Sequence, residues 1–371
     1  MSRKKKVIIL GGGYGGIKAL ETLANNENIE VTLIDKNRYH YLQTESYNFI
    51  ALNSSLNDII IPLDTLVKGI DKNFCFIQDE VVNVTTHQVT CKEGEHPFDY
   101  LIIAVGVKTL LPSIFHNDHL FEVKNLSNAL HLKHSFEDTI VKHLKKEKKN
   151  TNIVVVGGGS SGVEIAAEMQ NYLLKSNLAC EIQISLIADA FLGELDEHSR
   201  KKALQTLQNS GIRIVQKMVQ KVEPNCLYLE DEVIEFDFGV VAIGLEASEF
   251  IKNLDFAKEK HLLKVDEYLR AEEHIFAIGD CAFLKDKTGK PLSQTAQTAE
   301  QSGVIAAKNI LRAIQEKPLI KANIKIYGLA IALGGKFAIA TASFVKVDGI
   351  LGYLGKKAIE QFYKIPLKLK L

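Results

Sequence analysis

Residues 7–35 read VIILGGGYGGIKALETLANNENIEVTLID. Four apolar residues run into G-x-G-x-x-G at Gly11, Gly13 and Gly16. A helix-period segment, IKALETLA, follows, and then a second apolar strand that ends on Asp35. Strand, glycine turn, helix, strand is the grammar of a parallel βαβ unit. The first glycine lets the chain turn tightly, the second lets backbone approach a pyrophosphate, and the third lets helix and strand pack closely. Unpaired N–H groups at the helix start meet the phosphates. Asp35, 24 residues after Gly11, can accept hydrogen bonds from both hydroxyls of a ribose.

The same grammar recurs at 153–187, IVVVGGGSSGVEIAAEMQNYLLKSNLACEIQISLI, with Gly157, Gly159 and Gly162, 146 residues beyond the first motif. Two such units suggest two dinucleotides. The acid of the second is ambiguous: depending on where the strand stops, Ala188 or Asp189 takes the ribose position. No arginine follows until Arg200, so the clamp for a 2′-phosphate is missing and NADH is favoured over NADPH. FDYLIIAVG (98–106) and FDFGVVAIG (236–244) read as buried strands closing the two units, and HIFAIGD (274–280) as a third, ending in an acid.

At 371 residues the chain has roughly two to three times the one-domain length. Its 45 basic residues balance 45 acidic ones, so it has no global footprint for nucleic acid. Five scattered cysteines spell neither a disulfide framework nor a zinc pattern, and no metal is expected. The apolar run in MSRKKKVIIL is too short for the core of a signal peptide, which points to a reducing cytosolic setting. Ile326 to Phe344, interrupted by Gly328 and Gly334-Gly335, reads as two strands meeting at a GGK turn and not as a membrane span. KHLKKEKKN (142–150) reads as a solvated helix end. In the tail, Leu351, Leu354, Ala358, Phe362 and Ile365 form an apolar helical stripe, with Lys356, Lys357, Glu360 and Lys364 away from it. That is the pattern of a helix lying in a membrane interface; the alternative is a stripe packed on the body or on a second subunit. Six lysines against Asp348 and Glu360 after residue 345 suggest a basic, membrane-facing end.

GGGYGG with Asp35, DYLIIAVG, GGGSSGVEIAAEM, FAIGDCA and AQTAEQSG, in this order, resemble the two-dinucleotide-binding flavoproteins. Within them the chain most resembles the type II, non-proton-pumping NADH:quinone oxidoreductases. The resemblance implies an α/β fold of two nested Rossmann-like domains, with a C-terminal hairpin and amphipathic helix. FAD would be bound by 1–115 and 250–322, NADH by the inserted 116–249, and 323–371 would contact the membrane or a second subunit. FAD contacts are implied at Gly11, Gly13, Tyr14, Gly15, Gly16, Asp35, Ala104, Gly106, Asp280, Ala296 and Gln297. NADH contacts are implied at Gly157, Gly159, Ser161, Gly162, Glu164, Asp189 and Gly244.

Asp280 would hold the flavin's ribitol, unless it only caps a turn. A helix entering near Ala296, capped by Ser293 or Thr295, would aim N–H groups at the charge of a reduced flavin. Gln297 and Gln301, four apart on one helical face, would offer neutral hydrogen bonds to quinone carbonyls. Glu164 is implicated in placing nicotinamide and in protons reaching the quinone, unless it merely favours the first turn of its helix.

No cysteine pair follows the first glycine motif, which disfavours the disulfide reductases. The sulfide:quinone oxidoreductases are disfavoured too, since they need paired catalytic cysteines and lack a second fingerprint. The resemblance further implies electron transport to a quinone from the cytoplasmic face of a membrane, with a possible homodimer and no proton pumping. Two features depart from it: Tyr327 stands where the family often has lysine, and Thr44, Glu45 and Ser46 make the segment 40–51 polar. The polar segment would suit a soluble acceptor, so a rubredoxin- or ferredoxin-type NAD(P)H-dependent reductase is one alternative. A slow flavoprotein redox sensor is another.

Overall fold

The computed structural model describes residues 3–147, 151–342 and 345–371. Along the chain run β1 (Lys5–Leu10), α1 (Tyr14–Leu23), β2 (Ile29–Asp35), α2 (Ser46–Ile50), β3 (Cys75–Gln78) and β4 (Tyr100–Ile103). A second group follows: β5 (Leu120–Glu122), α3 (Leu126–Leu144), β6 (Thr151–Val156), α4 (Ser160–Lys175), β7 (Ile182–Ile187), β8 (Arg213–Val215) and β9 (Phe238–Val241). The chain then returns through β10 (Arg270–Glu272), β11 (Ile275–Ala277) and α5 (Ala296–Ile314). It ends in β12 (Gly328–Ala332), β13 (Ala338–Ala342), β14 (Val345–Asp348) and α6 (Gly349–Lys368).

Two sheets result. The first has the order β10-β11-β4-β1-β2-β3, parallel except for β10. The second, β5-β9-β6-β7-β8, is parallel throughout. Strands covered on both faces need continuous apolar runs, and Val7–Leu10 and Ile153–Val156 are such runs, buried at every position. The second sheet is formed wholly by chain lying between β4 and β11, so one Rossmann-like unit is nested in the other. The two crossing segments pair with each other, Lys108–Thr109 against Leu245–Glu246.

Helix α5 lies on α1 at glycine-to-glycine distance: a Cβ on Gly303 would fall 2.2 Å from the Gly15 carbonyl oxygen. The GGK turn forms as expected, with Gly334 and Gly335 at φ +95° and +60° against α4, and β14 extends the hairpin to three strands. Phe344 at the end of the expected hairpin, and Lys148 to Asn150 of the charged run, lie outside the described residues. Among the described residues no helix is long and apolar enough to cross a membrane.

Candidate active site

The two glycine loops match at their first, second and third motif glycines. Gly11 and Gly157 sit at φ +103° and +131°, where a Cβ would strike the carbonyl oxygens of Ala104 and Ala242 at 2.5 and 2.2 Å. A Cβ on Gly16 or Gly162 would meet the Gly11 or Gly157 carbonyl oxygen at 1.9 or 2.2 Å. Gly13 and Gly159, by contrast, face open space, and each N-caps its helix with no side chain accepting the first N–H groups. Each loop thus leaves unpaired N–H donors beside a clearing, which is the donor set and the room that a pyrophosphate requires.

The strand ends differ. Leu10 pairs with Ile34, so Asp35 is the next residue; Val156 pairs with Ile187, so the next residue is Ala188. Asp35 accepts from the Gly12 and Asn37 N–H groups, both at 2.7 Å, and burial pushes its carboxyl upward against those bonds. In the second unit the facing pair is Gly158 and the Ala188 methyl. Asp189 is one step beyond, exposed, and accepts from the Ala190 N–H. Register therefore puts alanine, not Asp189, at the position equivalent to Asp35.

Thr295 caps α5 through the Thr298 N–H, leaving the N–H groups of Ala296 and Gln297 at the helix start. Asp280, just after β11, pairs with Lys124 at 3.2 Å. The two glutamines are already engaged. Gln297 donates to the Gly328 carbonyl and accepts from Tyr327 N–H (2.8 and 3.0 Å), while Gln301 does the same with the Lys325 carbonyl and N–H (2.7 and 3.0 Å). Rather than facing an empty slot, they clamp the chain that enters β12; the Gln297 amide keeps one donor position in reserve, whereas Gln301 spends its second on the Gln297 backbone carbonyl at 3.2 Å.

Helix α6 closes this end of the molecule, and it is docked inside out. Its buried face carries Lys356, Glu360, Lys364 and Leu367, while Leu351 and Phe362 of the apolar stripe are 67% and 81% exposed. Lys356 reaches Glu164 at 2.6 Å and Glu360 at 3.5 Å, and Glu360 accepts from Tyr47 Oη at 2.7 Å. Glu164 also accepts from the Ala332 N–H. Burial pushes the Glu164 carboxyl up despite its lysine; burial pulls Lys356 down, but Glu164 and Glu360 together hold it above its ordinary value. Lys364 pairs with buried Glu45, so the charge of segment 40–51 is an internal counter-charge; Ser46 is buried as well, while Thr44 is exposed beside the Tyr14 hydroxyl.

Tyr363 Oη lies 2.9 Å from His40 Nε2, whose Nδ1 faces the Gly12 carbonyl at 2.9 Å. Burial holds the imidazole neutral, with a pKa pushed down to about 4. Because a carbonyl only accepts, Nδ1 carries the proton and Nε2 accepts from Tyr363.

The basic tail also changes meaning. Lys346, Lys357 and Lys370 pair with Asp196, Glu360 and Glu21. Of the six tail lysines, only Lys368 has no carboxylate partner among the described residues; it donates to the Asn57 carbonyl. The expected segregated positive end is therefore neutralised from within.

Sequence reading missed Tyr47, His40 and the inward roles of Lys356 and Lys364. The i, i+4, i+8 spacing of Lys356, Glu360 and Lys364 was its only trace, and such a stripe ordinarily marks a solvated face. It also missed that Asp79, Cys91 and His96 converge, since their spacing matches no ligand pattern.

The pyridine nucleotide-disulphide oxidoreductase family matches residues 5–303. A protein named type II NADH:quinone oxidoreductase from Staphylococcus aureus (strain NCTC 8325 / PS 47) is 27% identical over 385 residues, covering 96% of this chain and 94% of its own. Its namesake from Staphylococcus saprophyticus is 26% identical over 383 residues, with the same coverage. Among solved structures, NDH2 from Plasmodium falciparum in complex with NADH shares the fold, with a TM-score of 0.83 and 20% identity over 98% of this chain and 100% of that one. The sulfide:quinone oxidoreductase of Aquifex aeolicus does so too, with a TM-score of 0.81 and 18% identity over 99% and 92%.

Proposed function

The chain belongs to the pyridine nucleotide-disulphide oxidoreductase family, and from that premise we propose that it oxidises NADH and reduces a quinone through FAD, without pumping protons. The observation that carries this is the pair of uncapped helix starts, each beside an open glycine and each following a central strand of its own sheet. Two dinucleotides fit two such cradles, and the relatives matched over nearly their whole length bear the name of this reaction. Bound FAD supplies a two-electron acceptor for hydride and a donor to the quinone.

The residues divide the remaining work. N–H groups of the 11–16 loop would hold the FAD pyrophosphate, Asp35 its ribose and Asp280, beside Lys124, the ribitol. Residues 157–162, with Ser161 among them, would hold NADH within 116–249, with Gly244 lining the site against Leu110. The start of α5, at Ala296 and Gln297, favours negative charge on the flavin. Glu164, with a carboxyl raised by burial and a lysine at 2.6 Å, keeps a proton within reach of the site.

The outward stripe of α6 rests in a membrane interface on the cytoplasmic side, bound through apolar area; a second copy covering the same stripe is the competing occupant. Polar Glu45 no longer argues for a soluble protein acceptor, because Lys364 uses it.

The purified protein should be yellow, NADH should bleach it, and a soluble quinone should restore the colour. Absence of bleaching by NADH and NADPH alike overturns the proposal; bleaching that only a small redox protein reverses replaces the quinone.

A further inference from the structure

Between β3 and β4 the first unit carries a three-stranded antiparallel meander, Val81–Val84, Gln88–Cys91 and Glu95–Pro97, remote from both glycine loops in role. Its register pairs Val89 with His96 and Val81 with Cys91. Since side chains alternate across a strand, His96, Val89, Cys91 and Val81 share one face. Asp79, two residues before Val81, comes in at the same side, and the ligating atoms of Asp79, Cys91 and His96 lie within 4.8 Å of one another.

The surroundings favour an ion. Asp79 is a buried carboxylate with no basic side chain at ion-pair distance among the described residues. A buried charge of that kind calls for a counter-charge or a metal. Its two oxygens are oriented by the N–H groups of Glu80 (2.7 Å) and Glu93 (3.1 Å), the outer-shell support that metal-binding carboxylates carry. The Cys91 thiol is buried, and neither it nor the His96 ring has a hydrogen-bond partner among the described residues. His96 is only half buried and borders a cleft with Lys6, Glu30 and Thr32, which gives an ion a way in.

We propose that Asp79, Cys91 and His96 bind one divalent ion of the zinc class, with water as the fourth ligand. One sulfur, one imidazole nitrogen and one carboxylate oxygen suit a borderline four-coordinate ion, whereas magnesium and calcium demand all-oxygen sets. Binding closes the loop 91–94 onto Asp79. The Asp79 N–H in turn donates to the Asp35 carbonyl at 3.1 Å, so the ion braces the strand end that carries the ribose acid of the first unit.

The test uses full-length flavoprotein stripped with a chelator, then loaded with Zn²⁺ or Co²⁺. One equivalent of Zn²⁺ per chain is expected, and Co²⁺ should give thiolate-type visible absorption to the red of the flavin bands. The exposed thiols of Cys75 and Cys180 are controlled by Cys75→Ser/Cys180→Ser, which should keep both signals. Losing an outer partner alone weakens such sites by roughly 10- to 100-fold, so His96→Gln, at a half-buried position, should weaken Zn²⁺ at least that much with flavin content unchanged. Cys91→Ser should abolish the cobalt band. Binding below one equivalent, or equal in His96→Gln and the parent, overturns the site even if Cys91→Ser fails to fold.

Discussion

The two glycine loops are copies in backbone and strangers in what they attach to. The first and third glycines of one loop have their counterparts in the other, each closing on the equivalent backbone oxygen, and the second of each opens on clear space; two residues past the third, the first unit has Lys18 and the second Glu164. Lys18 lies 5.5 Å over the ring of Tyr363, and Glu164 holds Lys356 at 2.6 Å. One helix, α6, is thus gripped by equivalent positions of both units, with opposite charges. The repeat supplies two like loops, and the departures from it decide how the closing helix is held.

The largest effect should come from the shared part. Gly162→Ala places a methyl 2.2 Å from the Gly157 carbonyl oxygen and can relax only by opening the second loop. The variant should remain yellow, because the first loop is untouched, yet titration with NADH should no longer bleach it. A variant bleached at wild-type NADH concentrations would separate the second loop from NADH binding and break the equivalence.

Next comes the grip on α6. Lys356→Met leaves Glu164 buried without its cation, while Glu360 keeps Lys357 at 2.6 Å; removing one partner of a buried pair costs about 3–5 kcal/mol in comparable sites. Urea denaturation of the holoprotein should register it, and adding Glu164→Gln should restore part of the loss. The pH sign follows from the raised Glu164 carboxyl: the fold favours its protonated form, so that contribution is present at low pH and lost as pH rises through the raised value. Glu164→Gln should therefore flatten the difference in stability across that window. A variant that parallels wild type at every pH would show that Lys356 fully compensates the burial.

Much of this was legible in the sequence, and the reason is physical. Glycines needed for close approach, strands needing unbroken apolar runs and an acid at a strand end are local demands, written at fixed offsets. Asp35 could be read from its offset; which residue of the second unit stands at the equivalent place could not, because one residue of strand length decides between Ala188 and Asp189 and only pairing with Val156 gives the register. The face α6 presents was harder still. Its periodicity was correct, but which stripe turns inward depended on Glu164, Glu45 and Tyr47, which lie some 190 to 320 residues away in the chain. Gln297 and Gln301 do share a face, but the residues that occupy their amides come from 325–328, a segment whose nearness no helical spacing reveals.

Ala188 gives a smaller, sharper test. Without a carboxylate at this position the second unit neither holds the 2′-hydroxyl nor repels a 2′-phosphate, so wild type should prefer NADH only modestly. Ala188→Asp rebuilds the arrangement of Asp35. A hydrogen bond to a charged group contributes about 1.5–3 kcal/mol, so the ratio of kcat/KM for NADH over NADPH should rise by roughly tenfold to a hundredfold. An unchanged ratio would mean that the ribose is held from elsewhere.

The smallest expected effect is that of salt, and it distinguishes the two faces of α6. If all six tail lysines faced a lipid surface, each would add about 1 kcal/mol on an anionic leaflet and raising the salt would release the protein. Five of them are held by carboxylates, leaving Lys368, so the electrostatic share should be no more than about 1 kcal/mol. Sedimentation with vesicles should then vary little with ionic strength or with the fraction of anionic lipid. Phe362→Ser, on the exposed stripe and clear of the ion pairs, should weaken binding more than any change of salt. Strong release by salt would mean that α6 rolls over on the membrane, exchanging its internal ion pairs for lipid phosphates.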